Sequence, residues 1–162
     1  MILDYQKEDT FVFDLDKTVW DTFSVHGYSI WVKQMVPPYS LEQNRIIDDV
    51  YSYCVLRPGI RKYLDFLRSN GKKVGFLSSG FLMNTEYDKQ PSVNILKMFG
   101  IYEFFNFEKI LLYKTYSKKD YLCKFDNCVF FDDNDEIIQE VSTLGNVKIV
   151  DSKKILDWSK LI

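Results

Sequence analysis

The chain has 162 residues, a formal net charge of −2, 46% hydrophobic and 17% aromatic residues. That length suits one domain carrying at most a small insertion, and the apolar fraction is enough to bury a core, which excludes a disordered or linker-like chain. The charge balance offers no broad basic field and so argues against tight, non-specific nucleic-acid binding, while local contacts stay open.

The N-terminus, Met1 to Asp9, mixes acids with apolar residues and does not read as a secretory signal. No run approaches the roughly 18 apolar residues of a membrane span. Phe11-Val12-Phe13 is the first strand-like run and ends at acids. Residues 21–56 then break the regular pattern. Pro37-Pro38 prevents one continuous helix there. Within that stretch Leu41 to Val55 is expected to hold a helix capped by Ser40. Ile60, Tyr63, Leu64 and Leu67 recur at helical spacing, with Pro58 before them and Asn70-Gly71 after. Lys73 to Leu77 is a second strand, ending at Ser78-Ser79-Gly80. Val93, Leu96, Lys97 and Phe99 mark a helix closed by Gly100. Phe107 to Leu112 is a strand, Lys118 to Lys124 a short helix, and Cys128 to Phe131 a strand that again ends at acids. Glu136 to Leu144 is helical and Val147 to Val150 is the last strand. The tail Ile155-Leu156-Asp157-Trp158 is expected to form a packed helix without a catalytic role. Cys54, Cys123 and Cys128 cannot all pair, and with His26 the sole histidine they lack zinc-type partners. Reduced, mostly packed thiols in a cytoplasmic protein are the expectation.

Alternating strands and helices predict an α/β fold, a parallel sheet covered on both faces, in which ligands bind beyond the carboxyl ends of the strands. Asp14 and Asp16, Ser78 and Ser79, and Asp132 and Asp133 follow their strands directly. Extended residues two apart point the same way, so Asp14 and Asp16 can share a pocket. Close carboxylates repel unless a cation or proton intervenes, and a hard divalent ion suits oxygen ligands. Asp-x-Asp alone fits a solvated strand end equally well. The second cluster, Phe130-Phe131-Asp132-Asp133-Asn134-Asp135, shifts the balance. Helix-dipole preference explains Asp135 and Glu136 well, and Asp132 and Asp133 less well, because they follow the strand directly. Were the ligand a phosphate, acids alone would repel it, and a metal and a lysine would be needed beside them. Lys114, Lys118 and Lys119 are the candidates. Trp20, Trp31 and Tyr39 are candidates to line a hydrophobic entrance, with a place in the core the equal alternative for Trp20, and the aromatic run Tyr102, Phe104, Phe105 and Phe107 reads as core.

These residues resemble a family. Asp14-Leu15-Asp16-Lys17-Thr18 looks like the Asp-x-Asp-x-Thr motif of the haloacid dehalogenase superfamily. Ser78, Lys118 and Asp132-Asp133 look like its second, third and fourth motifs, in the family's order, within a likeness running from Thr10 to Val150. Thr18-Val19-Trp20, Ile30-Trp31-Val32, Pro37-Pro38-Tyr39 and Phe130 to Asp133 resemble most the magnesium-dependent phosphatase-1 branch. Ser78-Ser79-Gly80 departs from that branch's Ser-Arg-Thr, and the 41–55 stretch differs from its insertion.

The resemblance implies a Rossmann-like three-layer sandwich, with residues 21–56 as a small cap inside a single domain, 1–162. It implies a Mg²⁺-dependent phosphomonoester hydrolase. Asp14 would be the nucleophile that forms an aspartyl-phosphate, and Asp16 the general acid and then base. Asp14, Asp133, the Asp16 carbonyl and, through water, Asp132 would surround Mg²⁺, with Asp132 alternatively orienting Lys118. Ser78 or Ser79 and Lys118 would hold phosphoryl oxygens. Substrates would be phosphorylated small molecules or phosphoproteins. A polynucleotide 3′-phosphatase or nucleotidase, and a non-catalytic phosphate-binding scaffold, are the alternatives.

Overall fold

Phe11 and Phe13 point to one side of a strand and Val12 to the other, and all three are fully buried. That period of two, repeated in neighbouring strands, is what places helices on both sides of the sheet. The computed structural model describes residues 7–80, 91–112 and 117–162. In chain order it contains β1 (Thr10–Phe13), β2 (Trp20–Phe23), β3 (Ser29–Ile30), β4 (Ser40–Glu42), β5 (Arg45–Ile47), β6 (Tyr53–Leu56), α1 (Ile60–Ser69) and β7 (Lys73–Gly80). There follow α2 (Pro91–Met98), β8 (Phe107–Leu112), α3 (Lys118–Leu122), β9 (Cys128–Asp132), α4 (Asp135–Val141) and β10 (Val147–Asp151). The expected α/β architecture is present: five parallel strands in the order β10-β9-β1-β7-β8.

One face carries Phe11, Phe13, Phe76, Val129 and Phe131 against α1, α2 and Trp158. The other carries Val12, Leu77, Cys128 and Phe130 against α3 and α4. Phe13 and Phe131 stack at 4.8 Å between ring centroids, with Trp158 and Tyr63 packed around them. Each such buried ring contributes about 1.5–3 kcal/mol.

The strand order decides where a ligand binds. The chain runs outward from β1 to β7 and β8, then returns to β9 on the other side of β1. β1 and β9 therefore flank the switch point, where an open sheet leaves a crevice. Their register pairs Phe13 with Phe131, and the Asp14 N–H extends it by donating to the Phe131 carbonyl at 2.9 Å. Asp14 is thus carried to the side of Asp132.

Three expectations are corrected. First, residues 41–55 are not a helix, and Ser40 is the first residue of a strand. The segment from β2 to β6 is an antiparallel sheet ordered β3-β2-β6-β5-β4, with β4 and β5 joined through Gln43-Asn44. The cause is local. The buried Asp48 carboxylate accepts N–H groups from Val36 at 2.7 Å, Val50 at 3.0 Å and Ser52 at 2.7 Å, offering the backbone an alternative to helical bonds. Second, the tail is not a helix through Ile155 to Trp158. Two 3₁₀ turns, Ser152–Lys154 and Trp158–Leu161, flank an irregular stretch, each capped by an aspartate, Asp151 or Asp157. The Ile155 carbonyl and Trp158 N–H are taken by Arg57 and Pro58, which removes them from any helical ladder. Third, β7 does not stop at Leu77. It runs to Gly80 because Ser78, Ser79 and Gly80 still pair with β8, and β9 likewise takes in Asp132, opposite Asp151 on β10. Of the thiols, Cys54 and Cys128 are buried and Cys123 is exposed. Among the described residues no helix is long and apolar enough to cross a membrane.

Candidate active site

The carboxyl ends of β1, β7 and β9 open into a cleft of about 240 Å³. It is lined by Asp14, Asp16 and Lys17 after β1, by Ser78 and Ser79 on β7, by Lys118 on α3 and by Asp132, Asp133 and Asn134 at β9. Trp31 and Lys33 reach it from the antiparallel insertion. A cleft of this size suits a small head group.

At its floor the ammonium of Lys118 donates to Asp14 Oδ1 at 2.7 Å and to Asp132 Oδ2 at 2.8 Å, and all three side chains are nearly buried. Ser117 caps α3 by accepting the Asp120 N–H, which starts the helix so that Lys118 projects inward. Lys119 is not among the residues lining the cleft, and Lys114 lies outside the described residues. Asp14, Asp132 and Asp133 each bring a carboxylate oxygen within 4.8 Å of the others. Asp132 is fixed further by accepting the Asn134 N–H at 2.9 Å, and Asn134 in turn caps α4. Lys153 holds the acidic turn from outside, donating to the Asp133 carbonyl at 2.6 Å and to Asp135 at 2.8 Å.

Asp16 stands apart from that trio. Its Oδ1 accepts the Trp20 indole N–H and the Val32 N–H, both at 3.0 Å. The second bond ties the insertion to the loop after β1. That loop turns through Lys17, whose φ of 62° is left-handed, and closes with Thr18 and Val19 N–H groups on the Leu15 carbonyl. Ser78 is buried and Ser79 exposed, both beside the cleft. Trp20 is core, its indole nitrogen serving Asp16, and Tyr39 packs against the core outside the cleft lining. Trp31 is about half exposed, with the Lys33 ammonium 4.6 Å from its ring centre. His26 is exposed.

Sequence reasoning did not single out Lys17, Lys33, Asn134 or Arg57. Lys33 shares the predicted insertion with Trp31, but its approach to Asp16 depends on the fold. Arg57 adjoins the strong Pro58 signal and carries no motif of its own.

The electrostatics follow from burial. Burial pushes the Asp14 carboxyl up to about 7, against the pull of Lys118 and with a further push from Asp133. Burial and then Asp14 push Asp132 up to about 6, again against Lys118. Asp133 and Asp16 are also raised, burial first. The Asp14 hydrogen bond opposes the shift at Asp133, and the Val32 and Trp20 N–H groups oppose it at Asp16. Burial works against the charge on Lys118, but Asp14 and Asp132 outweigh it and hold the ammonium above its usual range. Lys33 is lowered by burial, with Asp16 opposing. Four carboxyls raised together mean that their negative charge is under-compensated. A hard divalent cation beside Asp14, Asp132 and Asp133 would supply what is short, and all-oxygen donors suit magnesium. The residues present therefore fit such an ion.

No known family model matches the chain, and no curated protein matches it in sequence. Solved structures do match. An uncharacterized protein from Listeria monocytogenes serotype 4b is 17% identical with a TM-score of 0.56, over 90% of this chain and 93% of that one. A haloacid dehalogenase-like family hydrolase from Streptococcus pneumoniae is 14% identical with a TM-score of 0.55, over 90% of this chain and 85% of that one. The chain thus has the haloacid dehalogenase-like fold.

Proposed function

We propose that this protein is a magnesium-dependent phosphomonoester hydrolase of the haloacid dehalogenase type, nearest in its motifs to the magnesium-dependent phosphatase-1 branch. The observation that carries the reading is the convergence of Asp14, Asp132, Asp133 and Lys118 at the switch point of the sheet. A buried lysine between two carboxylates is costly for stability alone. It makes sense where a dianionic phosphoryl group must be received among acids.

Asp14 is the nucleophile. With Oδ1 on Lys118 and Oδ2 facing the Thr18 hydroxyl at 3.4 Å, its carboxylate is held in one orientation. It attacks phosphorus, the P–O bond to the leaving alcohol breaks, and the phosphoryl group rests on Asp14. Asp16, raised toward protonation by burial, gives its proton to the departing oxygen. It then takes a proton from the water that releases phosphate and regenerates Asp14. Lys118 and Ser78, or Ser79, stabilise the phosphoryl oxygens as charge redistributes. Asp14, Asp133 and the Asp16 carbonyl would hold Mg²⁺, with Asp132 behind them orienting Lys118. The ion, when bound, neutralises phosphoryl charge and orients the group for in-line attack. Substrates are phosphorylated small molecules or exposed protein phosphates, because Trp31 and Lys33 are the insertion's only described residues in the cleft lining.

The test is hydrolysis of p-nitrophenyl phosphate by purified protein, with Mg²⁺ and with EDTA, beside Asp14→Asn. Turnover that requires Mg²⁺ and vanishes in Asp14→Asn is expected. Metal-independent turnover, or an active Asp14→Asn, overturns the mechanism.

A further inference from the structure

Outside the cleft, one side chain joins two distant parts of the chain to its own. Arg57, between β6 and α1, donates to the Lys17 carbonyl at 2.8 Å, the Ser152 carbonyl at 3.1 Å and the Ile155 carbonyl at 3.0 Å. Its Nε faces Asp21 at 3.8 Å, and its own N–H donates to the Val19 carbonyl at 2.9 Å. The junction around it is close-fitting. Trp158 N–H donates to the Pro58 carbonyl at 2.8 Å. Gly59 is left-handed, with φ of 77°, and any Cβ there would strike Asp157 Oδ1 and the Ser159 nitrogen.

The consequence reaches Asp14 through one turn. Lys17 is left-handed and sits between Asp16 and Thr18, so fixing its carbonyl fixes both neighbours. The Thr18 hydroxyl lies 2.8 Å from the hydroxyl of the fully buried Ser152 and 3.4 Å from Asp14 Oδ2. Either hydroxyl of the Thr18–Ser152 pair can donate to the other, and Ser152 Oγ also lies 3.5 Å from the Lys17 carbonyl, so the pair ties the Lys17-Thr18 turn to the C-terminal segment whichever way its protons point. Lys118 holds the other oxygen of Asp14. Each oxygen of Asp14 then has a partner, Lys118 from α3 and Thr18, which meets Ser152 of the C-terminal segment.

We infer that Arg57 and Ser152 are positioning residues for Asp14, acting through the Lys17-Thr18 turn, and that the C-terminal segment from Ser152 to Ser159 is part of the catalytic scaffold. The inference rests on the hydrolase reading. The same Arg57 contacts join the exit of the antiparallel insertion to the nucleophile loop.

The experiment measures kcat and KM on p-nitrophenyl phosphate with Mg²⁺ for wild type, Arg57→Ala, Arg57→Lys and Ser152→Ala, each checked for a cooperative melt. A loss of orientation of about 1 Å costs on the order of 100-fold, so Arg57→Ala should lose roughly that in kcat with KM within about twofold. Ser152→Ala, which removes one hydrogen bond, should lose about three- to tenfold in kcat. Arg57→Lys keeps a charge but not the fork, and should fall between wild type and Arg57→Ala. Added guanidinium ion at millimolar concentration should restore part of the Arg57→Ala rate, which general weakening of the fold would not permit. If Arg57→Ala does not fold, Arg57→Lys and Ser152→Ala carry the test. Unchanged kcat in the folded variants, or a loss confined to KM, overturns the inference. A wild type that hydrolyses nothing defeats the hydrolase reading instead. The positioning claim is then decided by a crystal structure of Ser152→Ala, where Thr18 leaving hydrogen-bond reach of Asp14 supports it and an unmoved Thr18 overturns it.

Discussion

Replacing Lys118 by methionine keeps the length of the buried side chain and removes its charge. Asp14 and Asp132 then face each other without a cation. In wild type without metal, their carboxyls titrate near 7 and 6. Both values lie above those of the unfolded chain, so the folded protein holds protons that the unfolded chain has released. The stability from this source is full below about pH 4 and falls as pH rises, at about 1.4 kcal/mol per unit for each group. In wild type the fall ends near pH 6 for Asp132 and near pH 7 for Asp14. In Lys118→Met it continues, because neither acid has a counter-charge. By pH 8 the variant has lost roughly 3 kcal/mol more through Asp132 and roughly 1 kcal/mol more through Asp14. At pH 5, where both acids are protonated in either protein, the buried Lys118 ammonium of wild type has lost its counter-charges, so the deficit shrinks to at most that of two hydrogen bonds, about 1–3 kcal/mol. Urea unfolding in EDTA at pH 5 and pH 8, followed by the fluorescence of the buried Trp20 and Trp158, measures both deficits. A deficit equal at the two pH values, or larger at pH 5, would refute the account of Lys118 as the charge that keeps these acids ionised.

Further predictions follow the same logic. Mg²⁺ should raise the melting temperature of wild type more at pH 8 than at pH 5, because protons compete for Asp14 and Asp132. The gain should reach about 2.7 kcal/mol at 100 times Kd and be absent in Asp14→Asn, as differential scanning calorimetry would show. Asp48→Ala leaves the N–H groups of Val36, Val50 and Ser52 without their acceptor, that of Ser52 in a buried residue, and should cost about 1–3 kcal/mol in urea unfolding, with Asp48→Asn recovering part of it. Gly75→Ala places a Cβ inside the Phe107 ring, and should cost about 1–3 kcal/mol. Gly145→Ala meets nothing nearby and should stay within about 0.5 kcal/mol of wild type in the same assay.

The parallel strands were legible because burial on both faces demands short, continuous apolar runs, and Phe11 to Phe13 and Cys128 to Phe131 are such runs. The helix α1 was legible because its apolar residues recur at helical spacing between Pro58 and Asn70-Gly71. The acids could be picked out because a carboxylate next to a buried strand needs a reason. The antiparallel sheet within residues 21–56 was not legible. Its outer strand Ser40 to Glu42 is exposed on both faces, so no alternation marks it, and what shapes the segment is Asp48 gathering N–H groups from Val36, Val50 and Ser52. The tail failed for the same reason, its helical pattern yielding to capping by Asp157 and to the carbonyl that Arg57 claims.

What the amino-acid order determined by itself is therefore the set of elements whose reasons are local: periodicity, punctuation, and polar residues at the ends of apolar runs. What only the tertiary structure decided is who meets whom. That Lys118 enters between Asp14 and Asp132, that Asp16 turns to Trp20 and Val32, and that Arg57 closes on Lys17 all depend on strand order and register. Those are settled by burying the sheet as a whole, and no stretch of sequence contains them.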